Sequence, residues 1–319
     1  MGNQCCVQRE LARDRTPPAP PNQHSDPEAS SPCDKHPSSR PPAAAGFPTR
    51  ENGGGGVTSI LEFSRARQAG RPITIVTAYD VLQARLVAES SVDAILVGDS
   101  VAMVVHGYPS TVHATLAMMC LHTAAVRRGA GDKFIVADLP FLSFRRGREV
   151  AAEAAGALIQ AGANAVKLEG VAGHEDVIVH LVGSGIPVMG HLGLTPQSVH
   201  QLGGHRVQGR TPDAAARLQA EARRLEELGA FSFVLECVPA ALAAQITHGA
   251  TIPTIGIGAG PDTDGQVLVI TDLLGLDGEF HPRFARRYLD GHAAVLAALN
   301  DYAADVRGAR FPAREEVPA

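Results

Sequence analysis

Short apolar runs alternate along the chain from residue 57 onward with longer segments in which apolar residues recur every three or four positions. Runs of this length without polar alternation are typical of strands buried on both faces, as in parallel sheets, whereas the longer segments are typical of amphipathic helices. The predicted strands cover residues 73–80, 94–100, 133–140, 165–170, 187–193, 231–238, 254–260 and 266–271. The pattern therefore predicts an α/β fold.

Two of the segments between strands carry clear helix signals. Residues 112–129 place apolar side chains on one face and end in two arginines and a glycine, which favours one helix over that range. Residues 211–229 begin with Thr211 as N-cap and Pro212 as first helical residue, and they end in glycine. A further helix is predicted over residues 58–70, ahead of the first strand, and two more are predicted within residues 282–307.

Eight strands that alternate with helices over about 260 residues predict a (β/α)8 TIM barrel, which typically takes about 250 residues. A doubly wound open sheet is the structural alternative, but such a sheet normally has a glycine-rich nucleotide loop after its first strand. Here that loop reads "TAYDVL", without glycine, and a G-x-G-x-x-G that starts at Gly256 would need its last glycine at Pro261. The dinucleotide fingerprint is therefore excluded.

The first 56 residues differ in composition from the rest of the chain. They are rich in proline, serine and glycine and nearly free of branched aliphatic residues. Such a segment buries too little apolar surface to offset the entropy of ordering it, so we expect residues 1–56 to be a disordered extension. Residues 57–319 are then expected to form the catalytic barrel domain.

The overall composition excludes several classes of partner. The formal net charge is −5, tryptophan is absent and aromatic residues make up 4% of the chain, so a nucleic-acid partner is not expected. No apolar run approaches the roughly 18 residues that a membrane span requires. The five cysteines form neither a disulfide framework nor a CxxC pair, which favours a reducing compartment and a cytoplasmic location.

Polar residues end several of the predicted strands. The carboxyl ends of all strands in such a barrel meet at one mouth, where active sites are built. The side chains expected there are those of Asp99, Ser100, Asp138, Lys167, Glu169, His191 and Glu236. Because Lys167 and Glu169 are two residues apart on one strand, they should point the same way.

Clustered carboxylates without a supporting cysteine or histidine cluster suit a hard cation, Mg²⁺ before Zn²⁺. Glu236 lies within an apolar strand, where it needs a partner or a raised pKa, as a general base would have. Its neighbour Cys237 should face the other way and fill the core. Each polar residue also has an ordinary structural explanation: Asp99 or Asp138 as a helix N-cap, and Lys167 as the partner of a carboxylate. His191 can likewise be a hydrogen-bonded core histidine.

Ten sequence fragments resemble, in order, those of the ketopantoate hydroxymethyltransferase family. They are "TAYD", "LVGDS", "HTAAVRRGA", "ADLPF", "AGANAVKLEG", "GHLGLTPQSV", "GGHRVQGR", "LECVP", "IPTIGIGAG" and "TDGQVLV", between about residues 58 and 315. The resemblance implies a Mg²⁺-dependent enzyme of pantothenate biosynthesis, at its first committed step. It would transfer a hydroxymethyl group from the co-substrate 5,10-methylenetetrahydrofolate to 3-methyl-2-oxobutanoate, through a metal-stabilised enolate, and give 2-dehydropantoate.

The same resemblance implies a role for each polar residue at the mouth. Asp99 and Asp138 would be metal ligands that also line the substrate pocket, and Glu169 would complete or support the metal site. The 2-oxo acid would be held by Ser100 and Lys167. A homodecamer is implied as well. The remaining two assignments are a place near the substrate for His191 and the role of proton acceptor for Glu236.

Two other functions stay open at this point. A Mg²⁺-dependent lyase or aldolase related to phosphoenolpyruvate mutase or isocitrate lyase would use similar enolate chemistry, although the cysteine-bearing lid motif of the lyases is absent. A barrel retained as a non-catalytic scaffold is the third possibility, but degenerate copies usually lose ligands or the base, and both are present here.

Overall fold

A computed structural model describes residues 57–317, and the predicted disordered extension lies outside this range. Eight parallel strands close into one barrel in the order β1-β2-β3-β4-β5-β6-β7-β8, with β8 paired to β1. The strands are β1 (Ile73–Thr77), β2 (Ala94–Val97), β3 (Phe134–Asp138), β4 (Ala165–Glu169), β5 (Val188–Gly193), β6 (Ser232–Glu236), β7 (Thr254–Ile257) and β8 (Gly265–Leu268). The predicted (β/α)8 TIM barrel is confirmed.

Helix α1 precedes the first strand, and the other helices follow the strands and surround the barrel. They are α1 (Ile60–Gln68), α2 (Val81–Glu89), α3 (Val101–Val104), α4 (Leu116–Gly129), α5 (Arg148–Gln160), α6 (Glu175–Gly183), α7 (Val199–Leu202), α8 (Pro212–Glu227), α9 (Ala240–Gly249), α10 (Ile270–Leu273) and α11 (Gly291–Arg307). Short 3-10 turns occupy Thr111–His113, Pro196–Ser198 and Arg314–Glu316. Within the described residues, no helix is both long enough and apolar enough to span a membrane.

Helix α8 confirms the capping signals read from the sequence. The Thr211 side chain accepts a hydrogen bond from the backbone N–H of Ala214, and Pro212 is the first helical residue. Leu218, Ala222 and Leu225 form the buried stripe of this helix. The cap and the stripe together fix where the helix begins and which face packs against the barrel.

The prediction of one helix over residues 112–129 was wrong at its beginning. Helix α4 begins at Leu116, because the Thr115 side chain caps it by accepting from the backbone N–H of Met118. Ser110 caps a separate 3-10 turn over Thr111–His113 in the same way. A hydroxyl side chain at a cap thus divides a stretch whose apolar spacing favours a single helix.

The prediction of two helices within residues 282–307 was also wrong, because that range contains only α11. The backbone N–H groups of Tyr288 and Gly291 donate to the carbonyls of Leu273 and Leu274 at the end of α10. Since these N–H groups are used between segments, they do not build a helical ladder of their own. The chain before α11 therefore stays irregular.

The barrel is closed at its amino-terminal end. Phe63 of α1 is fully buried, and its ring makes edge-to-face contacts with Phe134 at 5.4 Å and with Phe231 at 5.3 Å between centroids. These two partners lie at or just before the beginnings of β3 and β6. Helix α1 therefore covers this end, and the carboxyl ends of the strands remain for a functional site.

Candidate active site

The structure brings the predicted polar residues together at the carboxyl ends of the strands. Asp138, Glu169 and Glu236 are the last residues of β3, β4 and β6. In the strand register, Asp138 lies beside Lys167, and Glu169 lies beside His191. Asp99 lies two residues after the end of β2. Polar side chains from the ends of five neighbouring strands, β2 to β6, therefore form one cluster.

Strand alternation in β4 points both of its charged side chains into the barrel. Val166 and Leu168 belong to the core between the strands and the helices, whereas Ala165 belongs to the other core cluster together with Phe63 of α1. Lys167 and Glu169 share the orientation of Ala165, as their spacing predicts. Both are buried.

Two aspartates and a lysine form the first part of the cluster. The backbone N–H of Asp99 donates to Asp138 Oδ2 at 3.0 Å, and Lys167 Nζ lies 2.9 Å from Asp138 Oδ1. Burial raises the pKa of Asp99 well above its usual range, and the charges of Asp138 and Glu169 raise it further. Burial alone would lower the pKa of Lys167, but the carboxylates around it outweigh this effect and raise that pKa above its ordinary value. The lysine is therefore a permanent cation among carboxylates.

His191 lies between the two glutamates. Its Nδ1 is 3.5 Å from Glu169 Oε1 and 3.3 Å from Lys167 Nζ, and its Nε2 is 3.2 Å from Glu236 Oε2. Burial and the Lys167 charge lower the pKa of His191, but the contacts with Glu169 and Glu236 outweigh both and raise it to about 9. The contacts with the two glutamates therefore favour the imidazolium form of the ring at neutral pH.

Glu236 is the most accessible carboxylate of those in ion-pair contact within this cluster. Its side chain is 17% exposed, against 2% for Glu169 and 4% for Asp138. The sequence predicted that a glutamate in an apolar strand needs either a partner or a raised pKa, and the structure shows a partner, His191. An oriented carboxylate with an open side can contact a bound small molecule.

The remaining two predicted residues lie at the edge of the cluster. Ser100 is half-buried, and its Oγ is 2.8 Å from the hydroxyl of Tyr79. Cys237, predicted to fill the core, is only half-buried and follows Glu236 with a positive φ of 48°. Burial, and then the charge of Glu236, raise the pKa of this thiol to about 11, so it is not a thiolate nucleophile at neutral pH.

Sequence reasoning missed two polar residues of the site, Gln197 and Tyr79. Gln197, in the 3-10 turn after β5, donates from Nε2 to Asp99 Oδ2 at 2.8 Å and from its backbone N–H to Glu169 Oε2 at 3.0 Å. Tyr79, two residues after the end of β1, is 1% exposed. Both lie in fragments that carry the family resemblance, "GHLGLTPQSV" and "TAYD". That membership was the available signal, because neither side chain is charged.

The donor set fits a hard divalent cation. Asp138 Oδ1 and Glu169 Oε1 are buried oxygens that accept no hydrogen bond, although Lys167 Nζ lies 2.9 Å from the first and His191 Nδ1 lies 3.5 Å from the second. The cluster holds four carboxyl groups but only one ammonium and one imidazolium. Because acidic groups outnumber positive charges, a further cation would be stabilised there. No group of three or more His, Cys, Asp and Glu side chains within residues 57–317 is arranged to hold a metal ion by itself. Mg²⁺ commonly takes only one or two protein carboxylates and completes its shell with water and substrate oxygens.

Solved structures of other enzymes share the fold. A phosphonopyruvate hydrolase, determined in complex with oxalate and Mg²⁺, aligns with a TM-score of 0.54 and 13% identity, over 82% of this chain and 93% of that one. A phosphoenolpyruvate phosphomutase from Streptomyces platensis aligns with a TM-score of 0.55 and 12% identity, over 82% and 92%. At such low identity these matches show a common barrel and nothing about the reaction.

Sequence relatives are much more similar. A 3-methyl-2-oxobutanoate hydroxymethyltransferase of Bdellovibrio bacteriovorus is 52% identical over 258 residues, which cover 81% of this chain and 98% of that enzyme. One of the same name from Legionella pneumophila is 51% identical over 257 residues, which cover 80% and 98%. The family model described as ketopantoate hydroxymethyltransferase matches residues 57–314. The chain therefore belongs to the ketopantoate hydroxymethyltransferase family, and it is a transferase.

Proposed function

We propose that the chain transfers a hydroxymethyl group from 5,10-methylenetetrahydrofolate to 3-methyl-2-oxobutanoate in a Mg²⁺-dependent reaction that gives 2-dehydropantoate. The observation that carries this proposal is the cluster of four carboxyl groups, one ammonium and one imidazolium at the open end of the barrel. A 2-oxo acid is a small anion with two adjacent oxygens, and its C3 proton becomes acidic only when negative charge on those oxygens is stabilised.

Asp99 and Asp138 would hold the metal directly, and Glu169 would support it. When bound, Mg²⁺ would supply Lewis-acid stabilisation of the negative charge that develops on the substrate's oxygens. Lys167 adds a fixed positive charge beside Asp138, and it would bind the carboxylate or 2-oxo oxygen of the substrate together with the Ser100 hydroxyl. These groups orient the acid so that its C3 hydrogen lies toward one face of the pocket.

Glu236 would accept the C3 proton. Its carboxylate is the accessible one, and the contact of its Oε2 with His191 Nε2 at 3.2 Å holds it in place. The carbanion carbon would then form a bond to the methylene carbon that the folate carries. Both C–N bonds of that carbon would break, a water molecule would supply the hydroxyl group of the product, and tetrahydrofolate would leave. Its two nitrogens would take up the second proton of that water and the proton held by Glu236. His191 would keep the Glu236 carboxylate oriented before the transfer, which is a positioning role beside the substrate.

An exchange experiment tests this proposal. The purified protein with Mg²⁺ is mixed with 3-methyl-2-oxobutanoate in D₂O, and the C3–H signal is followed by NMR without and then with methylenetetrahydrofolate. We expect metal-dependent exchange, and 2-dehydropantoate once folate is added. Exchange without product would instead favour a lyase or aldolase, and neither exchange nor product from folded, metal-loaded protein would refute the transferase proposal.

The Glu236→Gln variant tests the base. It keeps the size of the side chain and removes the proton acceptor, so we expect turnover to fall by about 10²–10⁴-fold while the metal and the 2-oxo acid still bind. Arg224→Gln on the exposed face of α8 provides a control substitution away from the site. Wild-type turnover in Glu236→Gln would exclude the residue as base.

We also propose a homo-oligomer in the cytoplasm. Helix α11 supports the first part, because Gly291 is its only buried residue and it exposes a row of apolar side chains, Val295, Leu296, Leu299, Tyr302 and Val306. Such a surface is typical of an interaction site. Light scattering after size exclusion should give a mass several times that of one chain, and a monomer would refute this part of the proposal.

A further inference from the structure

Gln197 is a buried residue whose side-chain amide and backbone N–H each contact one of the proposed metal-site carboxylates. It lies in the 3-10 turn Pro196–Ser198 after β5, and 6% of it is exposed. We infer that Gln197 is a positioning residue, which fixes the carboxylates of Asp99 and Glu169 in the orientation that binds the metal. The inference rests on the proposed function, because it assigns the geometry of the same site.

The side-chain amide of Gln197 has one possible orientation. Its Nε2 donates to Asp99 Oδ2 at 2.8 Å and to the backbone carbonyl oxygen of Leu139 at 2.9 Å, so both amide hydrogens are used. Rotating the amide by half a turn would place its oxygen against two acceptor oxygens, which is unfavourable. The side chain is therefore locked, and it locks the Asp99 carboxylate in turn.

The backbone of the same residue holds the second carboxylate. The N–H of Gln197 donates to Glu169 Oε2 at 3.0 Å, whereas the other oxygen of this carboxylate, the buried Oε1, accepts no hydrogen bond. One residue after β5 thus restrains side chains that follow β2 and end β4, and it also contacts Leu139, just after β3. Hydrogen bonds to a charged acceptor are stronger than those between neutral groups. The bonds from Gln197 should therefore hold both carboxylates in their orientations.

A glutamine with a merely structural role would act differently. Such a residue would satisfy buried backbone groups, and its loss would lower the stability of the fold without a specific effect on metal binding. Here one of the two side-chain bonds ends on a carboxylate that would bind the metal. Partners of metal-binding carboxylates orient them, and removing such a partner typically weakens metal affinity by about 10- to 100-fold.

The test is Mn²⁺ binding to the substrate-free protein, followed by electron paramagnetic resonance. Gln197→Met keeps the approximate volume and the backbone N–H but removes both side-chain donors, and we expect the Kd for Mn²⁺ to rise by about 10- to 100-fold. Gln266→Met is the matched control, because the Gln266 amide donates to the Gly260 carbonyl and the Thr263 hydroxyl and to no carboxylate. Its Kd should stay at the wild-type value.

Turnover at saturating metal separates positioning from structure. If Gln197 acts through metal affinity, kcat of Gln197→Met should return to within a few-fold of wild type once Mg²⁺ is saturating. A low kcat at every metal concentration would overturn the inference, and so would an unchanged Kd for Mn²⁺.

A second variant covers the case in which Gln197→Met does not fold. Gln197→Asn keeps a buried amide but is one methylene shorter, so it cannot reach both acceptors, and we expect the same loss of Mn²⁺ affinity. Wild-type affinity in the folded Asn variant would overturn the inference. If the wild-type protein catalyses the proposed reaction and a Gln197 variant binds Mn²⁺ with wild-type affinity, the inference fails and the proposed function stands. If the wild-type protein binds no metal, the metal assignment and the inference fail together.

Discussion

The Lys167–Asp138 ion pair allows a quantitative test of how deeply the cluster is buried. The side chains are 6% and 4% exposed, and the pair is 2.9 Å long. Lys167→Met removes the cation and leaves its carboxylate partners buried without it. Removing one member of a buried pair typically costs about 3–5 kcal/mol of unfolding free energy. For a domain of this size, that corresponds to a decrease in Tm of about 6–20 °C.

A surface pair in the same protein provides the control. Arg224 and Glu227 are also 2.9 Å apart, but their side chains are 49% and 62% exposed. An exposed pair contributes about 0–1 kcal/mol, because water screens both charges. Arg224→Met should therefore change the unfolding free energy by about 1 kcal/mol at most, although the two ion pairs have the same length.

The assay is urea unfolding followed by circular dichroism, at one protein concentration and with a chelator present. A fixed concentration is needed because oligomerisation contributes to apparent stability. A loss below about 1 kcal/mol for Lys167→Met, comparable to that of an exposed pair, would refute the reasoning. It would mean that water reaches the cluster when the site is free.

Four further outcomes are expected. Asp99→Asn should raise Tm in the presence of chelator, because it removes one of several adjacent buried carboxylates. The same variant should show no gain in Tm when Mg²⁺ is added. Differential scanning calorimetry with chelator and with Mg²⁺ checks both outcomes. Tyr79→Phe removes the hydroxyl that bonds Ser100 Oγ and should raise KM for the 2-oxo acid by about tenfold or less, measured by steady-state kinetics. Thr211→Ala removes the α8 cap and should cost about 1 kcal/mol in urea unfolding. Deleting residues 1–56 should change neither activity nor the mass in light scattering; a change in either would contradict the prediction of a disordered extension.

The fold was predictable because local sequence patterns indicate each strand and most of the helices of the barrel. Buried strands are continuous apolar runs, and the helices between them carry caps and stripes, as at Thr211. Prediction failed where a long-range contact decided the structure. The residues before α11 look helical in sequence, yet the backbone N–H of Tyr288 is bonded to the end of α10, a contact that no local pattern reveals.

The site was predictable for a related reason, and incompletely. A charged group at the end of an apolar strand is conspicuous, because it must find a partner or a ligand, and every residue selected on that ground lies at the mouth. Gln197 and Tyr79 are neutral, so no charge marks them in the sequence as polar groups with buried partners, and only their place in the family fragments pointed to them. Gln197 is also separated from Asp99 by three strands along the chain, and only the closed barrel brings them within 2.8 Å.

The two ends of the barrel have different roles: one stabilises the fold and the other holds the charged cluster. This separation explains how the fold tolerates a cluster that costs stability. Helix α1 closes the amino-terminal end with Phe63, whose buried ring packs against Phe134 and Phe231 and contributes to stability. The other end gathers more carboxylates than cations, which costs stability as long as no cation is bound. Because the strands that hold these carboxylates are fixed along their whole length, the repulsion among them cannot relax by moving the side chains apart. In the proposed reaction that repulsion would favour the binding of a divalent cation, and the same rigidity would hold Glu236 in a fixed position beside the substrate.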